Sequence, residues 1–234
     1  DMIEVGIPFS DPIADGPTIQ AAADRALAGG ATPAACFEIL RAFRSRHAEV
    51  PVGVLTYANL VLARGRDAFY RACAAAGVDS VLVADAPVME AEPFAAAAGM
   101  HGVDPVLIAA PNTPEHTLRR VAELGRGYTY CVARAGVTGT ETEMALNHEA
   151  LLQSLRNFDA APPVLGFGIS RPEHVRAALE AGAAGVISGS AIVKLIEAEA
   201  DPAPAVRAFV AAMKEATRSS AQMPPPLVTS AGEA

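Results

Sequence analysis

Short β-branched apolar runs that alternate with Ala/Leu-rich stretches constrain this chain more than any other feature. Seven such runs, at residues 2–7, 52–56, 80–84, 105–109, 128–133, 164–167 and 185–188, read as strands. Most lack polar alternation, as parallel strands covered on both faces do. The segments between them carry helix-end signals. Thr32-Pro33 and Thr113-Pro114 each pair an N-cap with proline at the first helical position, and Ser170 is placed to cap a helix over 171–181. Gly29, Gly77, Gly125 and Gly182 stand where a left-handed C-terminal residue is wanted. Repeated βα units around one core mean an α/β fold, either a barrel or a doubly wound sheet.

Two observations favour the barrel. Strand-to-strand spacing is fairly even, and no GxGxxG follows the first strand to mark a dinucleotide site. A barrel of eight units averages about 250 residues, or roughly 31 per unit. Residues 1–218 then hold about seven units, which matches the strands read above. The expectation is a (βα)8 TIM barrel lacking its first βα unit, in one domain over 1–218. The chain opens at Asp1, almost directly in a strand, which fits an absent N-terminal segment. Residues 219–234 lack periodicity and are expected to be a disordered tail.

Composition narrows the function classes. Of 234 residues, 51% are hydrophobic and 19% charged, enough for a substantial core. A net charge of −8 without a Lys/Arg stripe speaks against nucleic acid as a main partner. The 3 cysteines form no CxxC pair and the 5 histidines never fall at metal-ligand spacing, so neither a disulfide framework nor a zinc site is indicated. No apolar run reaches the roughly 18 residues of a membrane span, and no signal peptide is seen. A cytoplasmic protein is expected.

The first strand carries an ionisable group, Glu4, in its middle. A charge there is costly unless a partner or a reaction needs it. The loop that follows is rich in Pro, Gly and Asp and holds Asp11 and Asp15 before an Ala-rich helical segment opens. A strand carboxylate and a loop carboxylate can act as general acid and base on one substrate. From this segment alone, a buried Glu satisfied by a neighbouring Arg or a backbone amide is the better reading.

A second signal lies near the C-terminus. In phosphate-binding barrels the anion sits between the loops after strands 7 and 8 and the N-terminus of a short extra helix. Here Gly166-Phe167-Gly168-Ile169-Ser170 ends the penultimate strand, and Ser188-Gly189-Ser190 runs straight into a helical stretch over 191–199. Gly168 and Gly189 let the backbone approach an anion, and the amides of Gly189, Ser190 and Ala191 would face it at the favourable end of the helix dipole. Both signals one unit apart favour phosphate over mere tight turns. The loop over 134–143 contains two glycines and suits a lid over a bound ligand. Tyr57, Tyr130 and Phe167 fall at or near strand ends, where they can flank a flat aromatic substrate or simply pack in the core.

Several segments in order resemble the tryptophan synthase α chain: Glu-Val-Gly-Ile-Pro-Phe-Ser-Asp-Pro-Ile-Ala-Asp-Gly-Pro-Thr (4–18), Tyr-Ala-Asn-Leu (57–60), Gly-Val-Asp-Ser-Val-Leu-Val-Ala-Asp (77–85), Gly-Tyr-Thr-Tyr (127–130), Gly-Val-Thr-Gly (136–139), Gly-Phe-Gly-Ile-Ser (166–170) and Ser-Gly-Ser-Ala-Ile-Val-Lys (188–194). The resemblance covers nearly the whole chain before the tail. It implies an eight-stranded barrel that cleaves indole-3-glycerol phosphate to indole and glyceraldehyde 3-phosphate without a cofactor of its own or a metal. It also implies an α2β2 assembly, with pyridoxal phosphate held only by the β chain. Catalytic roles fall on Glu4 and Asp15. Substrate and phosphate contacts fall on Tyr130, Thr138, Gly139, Phe167, Gly168, Gly189 and Ser190. Pro8, Asp11 and Asn59 match the face that docks on the β chain.

Two alternatives differ in chemistry. Indole-3-glycerol phosphate synthase shares the layout but relies on strand-end lysines, whereas Lys194 and Lys214, the only two lysines, both lie on late helices. A chain that mainly binds and activates a β chain would not need both Glu4 and Asp15. A barrel without its first unit would leave the strands at 2–7 and 185–188 with unpaired edges. On that ground the chain is expected to be poorly stable or to pair an edge with another copy, with little lyase activity until a first unit is restored.

Overall fold

In the described chain, a computed structural model covering residues 1–132, 149–166 and 168–219, every strand pairs in parallel with the one before it. β1 (Ile3–Gly6) leads through α1 (Pro17–Ala28) and α2 (Pro33–Arg44) to β2 (Val52–Thr56). α3 (Ala58–Leu62) and α4 (Arg66–Ala75) return the chain to β3 (Ser80–Val83), and α5 (Glu92–Met100) to β4 (Asp104–Ala109). α6 (Glu115–Leu124) precedes β5 (Thr129–Val132), α7 (Glu149–Asn157) precedes β6 (Pro163–Gly166), and α8 (Pro172–Glu180) precedes β7 (Gly185–Val186). α9 (Ser190–Ala198) and α10 (Ala203–Ser219) close the described chain. All seven strands expected from the sequence are present, in the order β1-β2-β3-β4-β5-β6-β7.

The sheet curls. Glu4 lies in register with Gly53 of β2, which lies in register with Ser80 of β3. In a flat sheet, four inter-strand spacings would separate β1 from β5 by roughly 19 Å. Instead the Tyr128 hydroxyl, one residue before β5, donates a hydrogen bond to Glu4 across the interior. Leu82, Val106, Tyr128 and Tyr130 form one inner cluster, with Leu55, Ile108, Val132, Val164 and Ile187 packed against it. Side chains from strands two through six, and Ile187 just past the last one, therefore meet along one axis, as in a barrel whose lumen is packed core.

The alternate residues of each strand face the helices. Val52, Val54, Val81 and Val83 pack with Phe37, Leu40, Val61, Phe69, Tyr70 and Cys73. Leu107, Ala109, Cys131 and Leu165 pack with Leu118, Val121, Leu151, Leu152 and Leu155. Burial pushes the Cys73 and Cys131 thiols up to about 12, which marks them as inert core residues. Among the described residues β1 pairs only with β2 and β7 only with β6. The two ends of the sheet are spanned by helices, with α9 packed on α1. Arg25 pairs with Glu197 at 3.0 Å and Lys214 with Asp1 at 2.6 Å.

Several helix ends differ from the sequence expectation. Thr32 caps α2 by accepting from the Ala35 amide at 3.2 Å, as expected. Thr113 does not cap α6: its hydroxyl accepts from the Ala110 amide at 2.8 Å, which closes the turn after β4, and Pro114 takes the N-cap position. Ser170 does not cap α8 either, because Arg171 occupies the N-cap and the Ser170 amide meets His174. Gly77 and Gly182 adopt positive φ, but Gly29 and Gly125 do not. Gly29 keeps a right-handed φ of −77°, and the left-handed residue is Gly30. Gly125 leaves α6 extended because the next amide, Arg126, already bonds to Pro105 of β4, so the left-handed turn is delayed to Gly127. No described helix is long and apolar enough to cross a membrane. The expected tail beyond the last described residue lies outside the described residues.

Candidate active site

Glu4 sits in the middle of β1, in register with Gly53 of β2, where an added Cβ would make ordinary contact with Glu4 Cγ at 3.7 Å and a tight one with Ser80 Oγ at 3.1 Å. Burial raises the Glu4 pKa above its ordinary value, and the hydrogen bond donated by Tyr128 opposes that shift. The carboxyl group is therefore poised to hold a proton that an exposed glutamate would release. The Tyr128 hydroxyl is in turn pushed well up by burial first and by the Glu4 charge second.

Asp15 lies on the loop between β1 and α1. That loop turns tightly, with the Asp15 amide bonded to the Pro12 carbonyl at 3.0 Å, and it ends at Gly16 before Pro17 opens the helix. Tyr57 reaches this loop from the end of β2. Its hydroxyl donates to Asp15 Oδ2 at 2.8 Å and accepts from the Ala14 amide at 3.2 Å, and its ring stacks on Phe9 at 5.2 Å. Burial raises the Asp15 pKa, and the Tyr57 bond opposes the rise.

Tyr130 lies within electrostatic reach of both carboxylates. It is buried in the inner cluster, and its hydroxyl feels the charges of both Glu4 and Asp15, which push its pKa up beyond the effect of burial. Tyr130 also fills the space beside Gly166 of β6, where a Cβ would collide with its phenol ring. Two residues further on, Gly168 holds a left-handed φ of 80° and starts the loop toward α8.

That loop and the start of α9 are tied together. Ser188 donates to the Ile169 carbonyl at 2.6 Å, and His174 Nδ1 stands 3.0 Å from the Gly168 carbonyl. α9 begins at Ser190 with Gly189 as N-cap, and no side chain caps its first amides. A Cβ on Gly189 would meet nothing within 4 Å. An open space at an uncapped helix start has the geometry that an anion requires.

Pro8 is half-buried and Asp11 exposed on the β1–α1 loop, and Asn59 is exposed on α3 beside it. Asp11 accepts from the Ser10 hydroxyl at 2.6 Å. Thr138, Gly139 and Phe167, with the loop expected over 134–143, lie outside the described residues. Among the described residues no group of three or more His, Cys, Asp or Glu side chains could hold a metal ion.

Tyr57, read from the sequence as able to flank a flat substrate, also donates its hydroxyl to Asp15. One functional candidate escaped the sequence. Tyr128 carried no expectation at all. Its spacing of two from Tyr130 puts both on one strand face, a usable signal, but only the curl of the sheet brings that face to Glu4.

Comparison with known proteins follows the same lines. The family model described as "Tryptophan synthase alpha chain" matches residues 1–221. The tryptophan synthase alpha chain of Klebsiella pneumoniae subsp. pneumoniae is 55% identical over 224 residues, covering 94% of this chain and 83% of that one. That of Vibrio cholerae serotype O1 is 56% identical over 222 residues, covering 93% and 83%. A solved structure of the tryptophan synthase a2b2 complex from Pyrococcus furiosus superposes with a TM-score of 0.82 at 36% identity, over 92% of this chain and 86% of that chain.

Proposed function

The chain belongs to the tryptophan synthase alpha chain family, and from that premise we propose that Glu4 and Asp15 carry its chemistry. The reaction of the chain is the lyase cleavage of indole-3-glycerol phosphate to indole and glyceraldehyde 3-phosphate, and its partner is the tryptophan synthase β chain.

The leaving group in this retro-aldol step is an aromatic carbon, so C3 of the indole must first take a proton. Glu4, with its protonated form favoured by burial, supplies it. The ring becomes iminium-like with a polarised N–H, and the Asp15 carboxylate accepts that N–H and offsets the positive charge. The bond from C3 to the glycerol carbon then breaks. Its electron pair returns to the ring, the adjacent hydroxyl gives its proton to the Glu4 carboxylate, and the aldehyde of glyceraldehyde 3-phosphate forms. Gly168, Gly189 and Ser190 hold the phosphate through backbone amides and Tyr130 contacts the substrate, and the family resemblance assigns further substrate contacts to Thr138, Gly139 and Phe167.

The observation that carries this reading is the pair of half-buried carboxyl groups, Glu4 bonded to Tyr128 and Asp15 to Tyr57, both with raised pKa values and both within electrostatic reach of Tyr130. Acid–base chemistry from these groups alone requires no cofactor in this chain, and pyridoxal phosphate belongs to the β chain. Pro8, Asp11 and Asn59 form the docking face for the β chain in an α2β2 assembly. Ile13 at 69%, Leu62 at 47% and Met89 at 65% exposure follow the ends of β1, β2 and β3 and supply apolar area for that contact. On the ground of its family, we place the chain in the cytoplasm. Indole release from purified protein, with and without β chain, tests the reading. Release that survives loss of both carboxylates, in a Glu4→Gln/Asp15→Asn double variant, would reject it.

A further inference from the structure

We propose that Tyr57 is a positioning residue for Asp15, holding its carboxylate oriented and ionised at the mouth of the barrel so that Oδ1 meets the substrate N–H. The inference rests on the role given to Asp15 above. Three contacts support it. The Tyr57 side chain is only 1% exposed and cannot swing away without opening the core. Its ring is stacked on Phe9 at an interplanar angle of 29°. Its hydroxyl is saturated, accepting from the Ala14 amide and donating to Asp15 Oδ2, so the donor direction is set by the backbone of the same loop that carries Asp15. Among the described residues Oδ1 takes no hydrogen bond, which leaves that oxygen for a ligand donor.

The electrostatics agree. Asp15 sits in surroundings that favour its neutral form, and the Tyr57 hydroxyl is the feature that works against this. The other groups around it cannot take over. Tyr130 is a buried phenol held neutral, and Asp85, which also acts on Tyr57, is another anion. Asp11 on the same loop is exposed and bonded to Ser10. No cation is recorded beside Asp15 among the described residues. A carboxylate that must be charged when the indole is protonated thus depends on one neutral donor.

Tyr57→Phe keeps the ring and its stacking and removes only the hydroxyl. In the chain assembled with its β partner, kcat for indole release should fall about ten- to a hundredfold, the range expected for losing a hydrogen bond to a charged group. KM should change little, because the bond matters most once the ring is charged. The acid limb of the kcat/KM profile should move to higher pH, since without the donor Asp15 protonates sooner as pH falls. In an Asp15→Asn background, Tyr57→Phe should add almost nothing further. Asp15→Asn with undiminished kcat would overturn the role of Asp15 and this inference with it. An impaired Asp15→Asn beside a Tyr57→Phe protein with an unmoved acid limb, or with losses that simply add, would overturn the positioning role alone.

Discussion

Tyr130 occupies the place where any side chain at Gly166 would begin. A Cβ on residue 166 would collide with the hydroxyl, Cζ and Cε1 of the phenol ring. The contact joins β5 to β6 inside the barrel, in the inner cluster that Tyr130 shares with Leu82, Val106 and Tyr128.

Gly166→Ala should therefore cost about 1–3 kcal/mol in urea unfolding, the usual penalty for an overfilled core, and should displace the ring from the active site. Adding Tyr130→Leu, which removes the colliding atoms, should make the double variant less destabilised than the sum of the singles. Strict additivity would show that the ring moves aside freely.

Glu4→Gln should abolish indole release, by at least ~10²-fold, while the fold persists. It should also stabilise the protein. Glu4 has a folded pKa raised above its unfolded value, so the native state is favoured below the unfolded pKa and loses stability as pH rises through the folded one. The variant should then exceed the parent in stability at neutral pH, with the gap closing in acid. A gap that widens as pH falls would contradict the burial of the group.

Tyr128→Phe removes the hydrogen bond that lowers the Glu4 pKa. The protonated, proton-donating form should then survive to higher pH, and the alkaline limb of the kcat profile should move upward. A downward movement would mean that the phenol favours the neutral acid instead.

Gly189→Val places a branched side chain in open space at the start of α9. Loss of a good N-cap residue should cost about 1 kcal/mol or less of stability. Glyceraldehyde 3-phosphate should bind at least about tenfold more weakly, as a lost hydrogen bond to a charged group would dictate, while indole affinity stays nearly constant. Calorimetry with the two ligands separately measures this, and equal losses for both would argue against a phosphate cradle here.

Much of the architecture was legible in the sequence because it is local. Strands without polar alternation, such as 52–56 and 80–84, have both faces covered, and their number and even spacing already imply sequential parallel pairing. Glu4 and Asp15 stood out because a carboxylate in an apolar strand and an Asp in a Pro/Gly loop have few reasons to occur so close together. The open, uncapped helix start at Gly189 and Ser190, where we propose that phosphate binds, could be read for the same reason, since glycines before a helix start are a local pattern. Helix ends were less legible. Thr113 and Ser170 had the right side chains but were taken up by a strand-exit turn and by the approach of His174. What no local pattern contains is distance across the barrel. Tyr128 meets Glu4 only because the sheet curls, and the curl arises from the pairing and packing of all seven strands at once, whereas Tyr57 meets Asp15 and Tyr130 meets Gly166 across neighbouring strands whose pairing local sequence does not specify. Sequence alone determined which groups could do chemistry. Tertiary structure decided which neutral phenols hold them in place, because that depends on contacts between residues 42 and 124 positions apart.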